Sequence, residues 1–358
     1  MGNDVIDWND RSVYKVYEEG RWAGIFQCTN NGAQRLFQRA KPQSILDIAA
    51  LTSIYRPGPL AMGIDRKYVK MKNNPQDITY DHPILEEILS ETYGMLVFQE
   101  QTMAIVNRLG QIPLDECNAI RKMMKPQQSS GDAKKKAKAL KDRIMSGFKA
   151  SGLRIDQAEN LYSNIMKFTA YSFNKSHAVS YAMDSYYCAW LMTYFEEEWL
   201  CAYLESMSKN TDKRNKAFSE VQALGYEIVP IDINYATDSW AILEGRKFMP
   251  SFNSCKGIGD AAIEEIVRLR NKQKGKVFTT IDSLLFDKEN NWQVSKFNKR
   301  AMEALIRIKA FDSMDLVGTG KTFDNYAHME AALIPGWSKW KKRLKSCLLY
   351  TSPSPRDS

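Results

Sequence analysis

Apolar residues recur at helical spacing through most of this chain, and the interruptions mark its organisation. Residues 1–23 are polar and acidic, with Asp4, Asp7 and Asp10, and carry no core-forming element before Val13. Gly24-Ile25-Phe26-Gln27-Cys28 follows, then helical patterns over 33–39 and 45–55. The second stops at Arg56-Pro57-Gly58-Pro59, because two prolines around a glycine force a rigid turn that holds Arg56 in one place. Further helices are predicted over 84–90, 100–109 and 114–124, with a short apolar break at 94–98. A polar loop at 125–138 leads into a lysine run, and one apolar helical pattern ends near Phe168. Another then runs on towards Met207 without proline or glycine. After a polar break at 208–214, only 226–230 and 248–252 read convincingly as strands, followed by helices over 261–270 and 301–308. The fold class is mainly α: a helical domain over 24–210 and a small α(+β) module over 211–315, with a polar leader at 1–23 and a partial helical extension at 316–346.

Between the two long apolar patterns lies a polar, basic knot, Asn174-Lys175-Ser176-His177. That placement makes it a helix N-terminus, where unpaired N–H groups and the positive end of the macrodipole favour an anion. His177 and Tyr181 are four apart and so share a helix face beside this cradle. A flat base with a phosphate tail suits such a surface, whereas the bland reading is a capped helix with a surface lysine and a satisfied histidine.

A length of 358 residues allows two or three domains, and 50 Lys and Arg against 42 Asp and Glu give a net charge of +8 that favours a polyanionic partner. The six cysteines form no CxxC pair, and three histidines are too few to suggest structural zinc. Most cysteines sit in apolar helical patterns, which fits a reducing cytoplasm. No secretory signal pattern or apolar run long enough to cross a bilayer is present, so no membrane partner is expected. Residues 347–358 match nothing before them and resemble translated adaptor read-through, so they are set apart from the fold.

Five stretches stand in a specific order: Gly24-Ile25-Phe26-Gln27, Tyr55-Arg56-Pro57-Gly58-Pro59, Tyr93-Gly94-Met95-Leu96-Val97-Phe98-Gln99-Glu100-Gln101, Arg121-Lys122-Met123-Met124-Lys125 and Phe173-Asn174-Lys175-Ser176-His177. In this the chain closely resembles the bacterial DNA polymerase III alpha subunit, a C-family replicative polymerase, over roughly residues 24–312. The resemblance implies a fingers domain up to about Asn210 and helix-hairpin-helix elements after it. It implies primer-template DNA and deoxynucleoside triphosphates as ligands, with a sliding clamp and other replisome subunits as partners. It also implies Mg2+ held by palm aspartates that precede this region in the family. No Asp-x-Asp pair occurs here, and Asp4, Asp7 and Asp10 read as loop acids, so no metal ligand or catalytic residue is assigned and the chain reads as a fragment, inactive alone.

By the same resemblance the segment from Asn174 to His177 contacts the incoming nucleotide, its basic end at the phosphates and Tyr181 on the base or sugar. Arg121, Lys122 and Lys125 go to the triphosphate, against a dipole-compensating helix end as the alternative. The family's further lysines are replaced here by Pro126-Gln127-Gln128, which weakens the case for Lys125. Arg56 has two readings, a structural fork on a carboxylate or a phosphate contact. Gln99 and Gln101 read as helix-start hydrogen-bonding residues. Lys134, Lys135, Lys136, Lys138, Lys141 and Arg143 form either a solvated face or a phosphate-contacting one. Lys256-Gly257-Ile258-Gly259 reads as the hairpin of a helix-hairpin-helix motif, with Lys299 and Arg300 opening a later helix beside DNA. The competing class is a non-enzymatic helix-hairpin-helix DNA-binding protein whose residues 24–210 form a structural body.

Overall fold

The computed structural model describes residues 6–117, 131–169, 171–208, 210–318 and 321–348, with side chains in all of these but 131–134, 136 and 339–348. Arg121, Lys122 and Lys125 lie outside the described residues, as do 347–358 apart from the backbone of 347 and 348. The chain divides into two compact units, Met1–Phe195 and Glu196–Ser358.

The first unit is helical: α1 Arg11–Glu19, α2 Asn31–Ala40, α3 Ile45–Ile54, α4 Pro57–Ala61, α5 Ile64–Asn73, α6 Pro83–Leu89, α7 Gln99–Arg108, α8 Gly131–Ala150, α9 Ile155–Thr169 and α10 Lys175–Tyr194. α10 is the axis, with α3 and α1 laid along it. Its buried positions Ala178, Ala182, Ser185 and Ala189 are small, and α3 buries Ala49, Ala50 and Ser53, so two backbones can approach closely. A second core gathers Leu85, Ile105, Val106, Ile144, Phe148 and Ile165 from α6 to α9.

Residues 6–23 are not a polar leader. Asp10 accepts a hydrogen bond from the Ser12 N–H at 2.8 Å and caps α1, which buries Val13, Tyr14, Val16 and Tyr17. Trp8 packs against Tyr186 and Tyr187 of α10 with centroids 5.3 Å apart in each case. Half of the buried face is tyrosine, which an apolar count passes over. Two other boundaries differ from expectation. Arg56-Pro57-Gly58-Pro59 starts a helix as well as ending one, since Pro57 stands at the first helical position of α4. The long apolar pattern breaks at Phe195, where φ is −140°, and Glu196–Glu198 then supply the acidic first turn of a new helix.

The second unit comprises α11 Glu196–Met207, α12 Thr211–Ala223, β1 Glu227–Ile228, β2 Ala241–Leu243, β3 Lys247–Met249, α13 Asp260–Lys272, α14 Ile281–Leu285, α15 Lys299–Arg307, β4 Val317–Gly318, β5 Lys321–Thr322 and α16 Tyr326–Leu348. β3 lies between β1, which it pairs in parallel (Ile228 opposite Phe248), and β2, which it pairs antiparallel (Ile242 opposite Phe248). The expected strand over 248–252 is shorter and earlier, because Phe252–Ser254 turns into a 3-10 helix, and β2 is additional. One core takes Ile258, Ile263 and Ile266 with Leu305, Phe311, Met329, Leu333 and Trp337. Residues 323–337 therefore belong to the body of this unit and are not an appended extension. The described residues are mainly α, with their strands in one three-stranded and one two-stranded sheet.

Candidate functional site

In the first unit, Asn174 caps α10 as its side chain accepts the His177 N–H at 2.9 Å and the Ser176 hydroxyl at 2.7 Å. Glu100 of α7 reaches the same helix start. Its carboxylate accepts the Lys175 N–H at 2.9 Å and the Asn174 amide at 2.8 Å. An internal carboxylate thus occupies the place where the dipole favours an anion. The Lys175 ammonium is also engaged, donating to both oxygens of Glu91 at 2.8 and 2.6 Å.

This helix start is held by segments far away in sequence. Phe98 bridges Phe173 in parallel, with the Gln99 N–H donating to the Phe173 carbonyl at 2.8 Å and the Gln99 amide to the Ser172 carbonyl at 3.1 Å. Gln101, buried, accepts from the N–H groups of Val97 and Phe98 at 2.9 and 3.0 Å and donates to the Thr92 hydroxyl at 2.7 Å. Both glutamines act at the helix start, as their sequence position suggested. Arg56, read from sequence as a fork on a carboxylate or a phosphate contact, has other partners within this unit. It donates to the carbonyls of Ser53 at 2.8 Å and Tyr171 at 2.5 Å, and its guanidinium stands 4.5 Å from the Phe173 ring centre. Burial pushes its pKa below the ordinary value. Gly58 completes the joint, since a Cβ there would stand 2.1 Å from the Tyr171 ring.

Along the exposed side of α10 runs a row of rings. Phe173 and His177 are 5.4 Å apart, His177 and Tyr181 4.3 Å, and Tyr181 and Phe26 5.3 Å. Phe26 comes from the Gly24–Gln27 stretch, and its carbonyl accepts the Ser185 hydroxyl of α10 at 2.9 Å. His177 is exposed and Tyr181 half-buried, so the row is open to a flat ligand beside the Lys175 end. Four of the five sequence stretches therefore meet at one helix start, and the fifth lies outside the described residues.

In the second unit, Lys256 and Gly259 are exposed on either side of Ile258, which is buried in the core. Gly257 has φ +113°, a conformation natural only to glycine, while the space around Gly259 is open to 4 Å. A Cβ on Gly257 would stand 3.6 Å from the Arg300 Nε, so the hairpin and the start of α15 adjoin, with Lys299 exposed next to them. The element just before this turn is the 3-10 turn Phe252–Ser254. Glu265 of α13, 4% exposed, fixes the segment leading to α15 by accepting the N–H groups of Ser295, Lys296 and Phe297 and the Ser295 hydroxyl, at 2.6 to 3.0 Å. Burial alone would raise its pKa, but these donors outweigh burial and hold it below the ordinary carboxylate value.

The residues that sequence reasoning missed are Glu91, Glu100 and Glu265. Each acts on at least one partner between 30 and 84 positions away, where no local spacing announces it. Among the described residues no group of three or more His, Cys, Asp or Glu could hold a metal ion. No helix among them is long and apolar enough to cross a membrane.

A profile of the bacterial DNA polymerase III alpha subunit finger domain matches residues 3–149, and a helix-hairpin-helix profile matches residues 225–318. The chain is 33% identical over 332 residues to DNA polymerase III subunit alpha of Campylobacter jejuni, spanning 92% of this chain and 27% of that protein. It is 33% identical over 307 residues to that of Aquifex aeolicus, spanning 85% of this chain and 25% of the relative. For the Pseudomonas aeruginosa protein the identity is 30% over 316 residues, with 87% and 26% spanned. The chain thus spans about a quarter of the length of these relatives. By these matches the chain belongs to the bacterial DNA polymerase III alpha subunit family, over its finger and helix-hairpin-helix regions.

Proposed function

We propose that this chain provides the incoming-nucleotide surface and a duplex-holding surface for template-directed DNA synthesis. The observation that carries the reading is the convergence of the Phe26, Arg56, Tyr93–Gln101 and Phe173–His177 stretches on the start of α10, with a lysine at one end of an aromatic row. In this reading Lys175 takes a phosphate, Asn174 and Ser176 shape the helix start, and His177 and Tyr181 lie along the base and sugar. Arg56 acts through Phe173 and the Tyr171 carbonyl and positions the platform. Arg121, Lys122 and Lys125 are assigned to the triphosphate by their place in the family motif. Lys256, the Gly257–Ile258–Gly259 backbone, Lys299 and Arg300 take phosphates of the duplex without reading sequence. Mg2+ belongs to the whole enzyme, where it stabilises charge during phosphoryl transfer, and no residue described here is assigned to it.

The alternative, a structural helical body on a DNA-binding module, differs in one measurable respect. Titrating the chain with a deoxynucleoside triphosphate while observing the His177 ring resonances should shift them, and inorganic tripolyphosphate should compete. His177 resonances unmoved by either ligand would favour the structural body.

A further inference from the structure

A phosphate-binding lysine is ordinarily left free or solvated, yet Lys175 is clasped by both oxygens of Glu91. The pair is neither a loose surface contact nor a sealed one, since the side chains are 31% and 26% exposed. Glu91 is held from behind. It sits in the 3-10 turn Ser90–Thr92, and its Oε1 also accepts the Gln101 amide at 3.3 Å, while Gln101 is anchored to Thr92 and to the backbone of Val97 and Phe98. A carboxylate fixed to a rigid frame, with both oxygens on the ammonium, has the geometry an anionic ligand would take.

Resting on the reading of Lys175 as a phosphate contact, we propose that Glu91 is an internal competitor for that contact, a carboxylate that any phosphate must displace to reach the ammonium. Glu100 plays a different part. It binds the Lys175 backbone N–H and the Asn174 amide and so caps the helix, while the ammonium goes to Glu91, with the Phe98 ring centre 5.9 Å away. The competing carboxylate is tethered and always present. A singly charged anion with a single contact gains too little to displace it, whereas a polyphosphate that reaches neighbouring donors meets the same cost once and spreads it over several contacts. Glu91 therefore sets a threshold in favour of polyphosphates and is a specificity-determining residue for the platform.

Removing the Glu91 charge should therefore tighten binding. Glu91→Gln keeps the shape and an acceptor for Gln101 but gives up the ion pair, and it should strengthen inorganic tripolyphosphate binding by about two- to fivefold, the range a partly exposed pair is worth. Binding is read from the His177 ring resonances, which are local to the site and easily assigned because the chain has three histidines. In a Lys175→Ala background the same change should bring no gain. Binding by Glu91→Gln equal to or weaker than the parent would overturn the proposal and make Glu91 a residue that merely positions Lys175. Tripolyphosphate affinity that is the same in Lys175→Ala as in the parent would instead remove the phosphate reading of Lys175 itself, whatever Glu91→Gln does.

Discussion

Glu265 is the residue whose loss should be felt furthest from its own position. Its carboxylate gathers three successive N–H groups and a hydroxyl from residues 295–297, the segment that delivers Asn298 as the cap of α15. Glu265→Ala leaves the Phe297 N–H buried without an acceptor, worth about 1–3 kcal/mol, and forfeits charge-assisted bonds worth about 1.5–3 kcal/mol each. The Ser295 and Lys296 groups are part-buried and can turn to water, so the net cost is about 3–5 kcal/mol. Glu265→Gln keeps one oxygen for the shortest bonds and should lose about 1–2 kcal/mol. Peptide-level hydrogen exchange across 293–301 reads the effect directly, with protection falling in the order parent, Gln, Ala. The pH dependence has a definite sign. Because the folded pKa is depressed below the ordinary value of 4.5, the stabilisation is fully present above that value and is lost as pH falls through the folded pKa. The gap between parent and Glu265→Ala should therefore persist at neutral pH and shrink in acid. Unchanged protection of 293–301 in Glu265→Ala would refute the argument.

Arg300→Ala should lower duplex affinity equally for all sequences and reduce the slope of log affinity against log salt by about 1, as for one lost phosphate contact. Gly259→Val, placed in open space, should weaken duplex binding in a filter-binding titration while circular dichroism stays unchanged. The buried pair Asp47 and Lys72, 3.1 Å apart, also receives hydroxyls of Tyr68 and Tyr93. Asp47→Asn should cost about 3–5 kcal/mol by leaving a buried ammonium without its counter-charge, and the double change with Lys72→Met should cost less than the sum in urea unfolding. Gly58→Ala drives a methyl into the Tyr171 ring and should cost about 1–3 kcal/mol, with a chemical-shift change at His177 if the Arg56 joint positions the platform.

The parts of this molecule legible in sequence are those whose physics is local. Four-residue spacing put His177 and Tyr181 on one face, an Asn before a polar turn announced the cap of α10, and two glycines flanking Ile258 marked the hairpin. What escaped depends on partners brought from afar. Arg56 reads in sequence as a fork on a carboxylate or a phosphate contact, yet it stands on carbonyls and a ring, because the chain returns 115 positions later to pass beside it. The early tyrosine-rich helix was hidden by hydroxyls on rings that bury well, and β2 by a length of three residues that no periodicity can register. The lysine run at 134–143 lies on α8, where Lys141 stands 5.4 Å from the Tyr162 ring centre and Arg143 pairs with Glu116. Those two contacts use part of that run internally.

The start of α10, as proposed, is a platform with a phosphate end and a base end. Measuring the affinity of one deoxynucleoside triphosphate and of inorganic tripolyphosphate for Lys175→Ala and Tyr181→Ala tests it most directly. Lys175→Ala should weaken both ligands, by about tenfold, the low end for a charge-assisted contact because Glu91 already satisfies the ammonium. Tyr181→Ala should weaken the nucleotide alone, by about 1–3 kcal/mol of lost stacking, and leave tripolyphosphate unchanged. Affinities that do not change in either variant, or losses that fail to separate by ligand, would contradict the account.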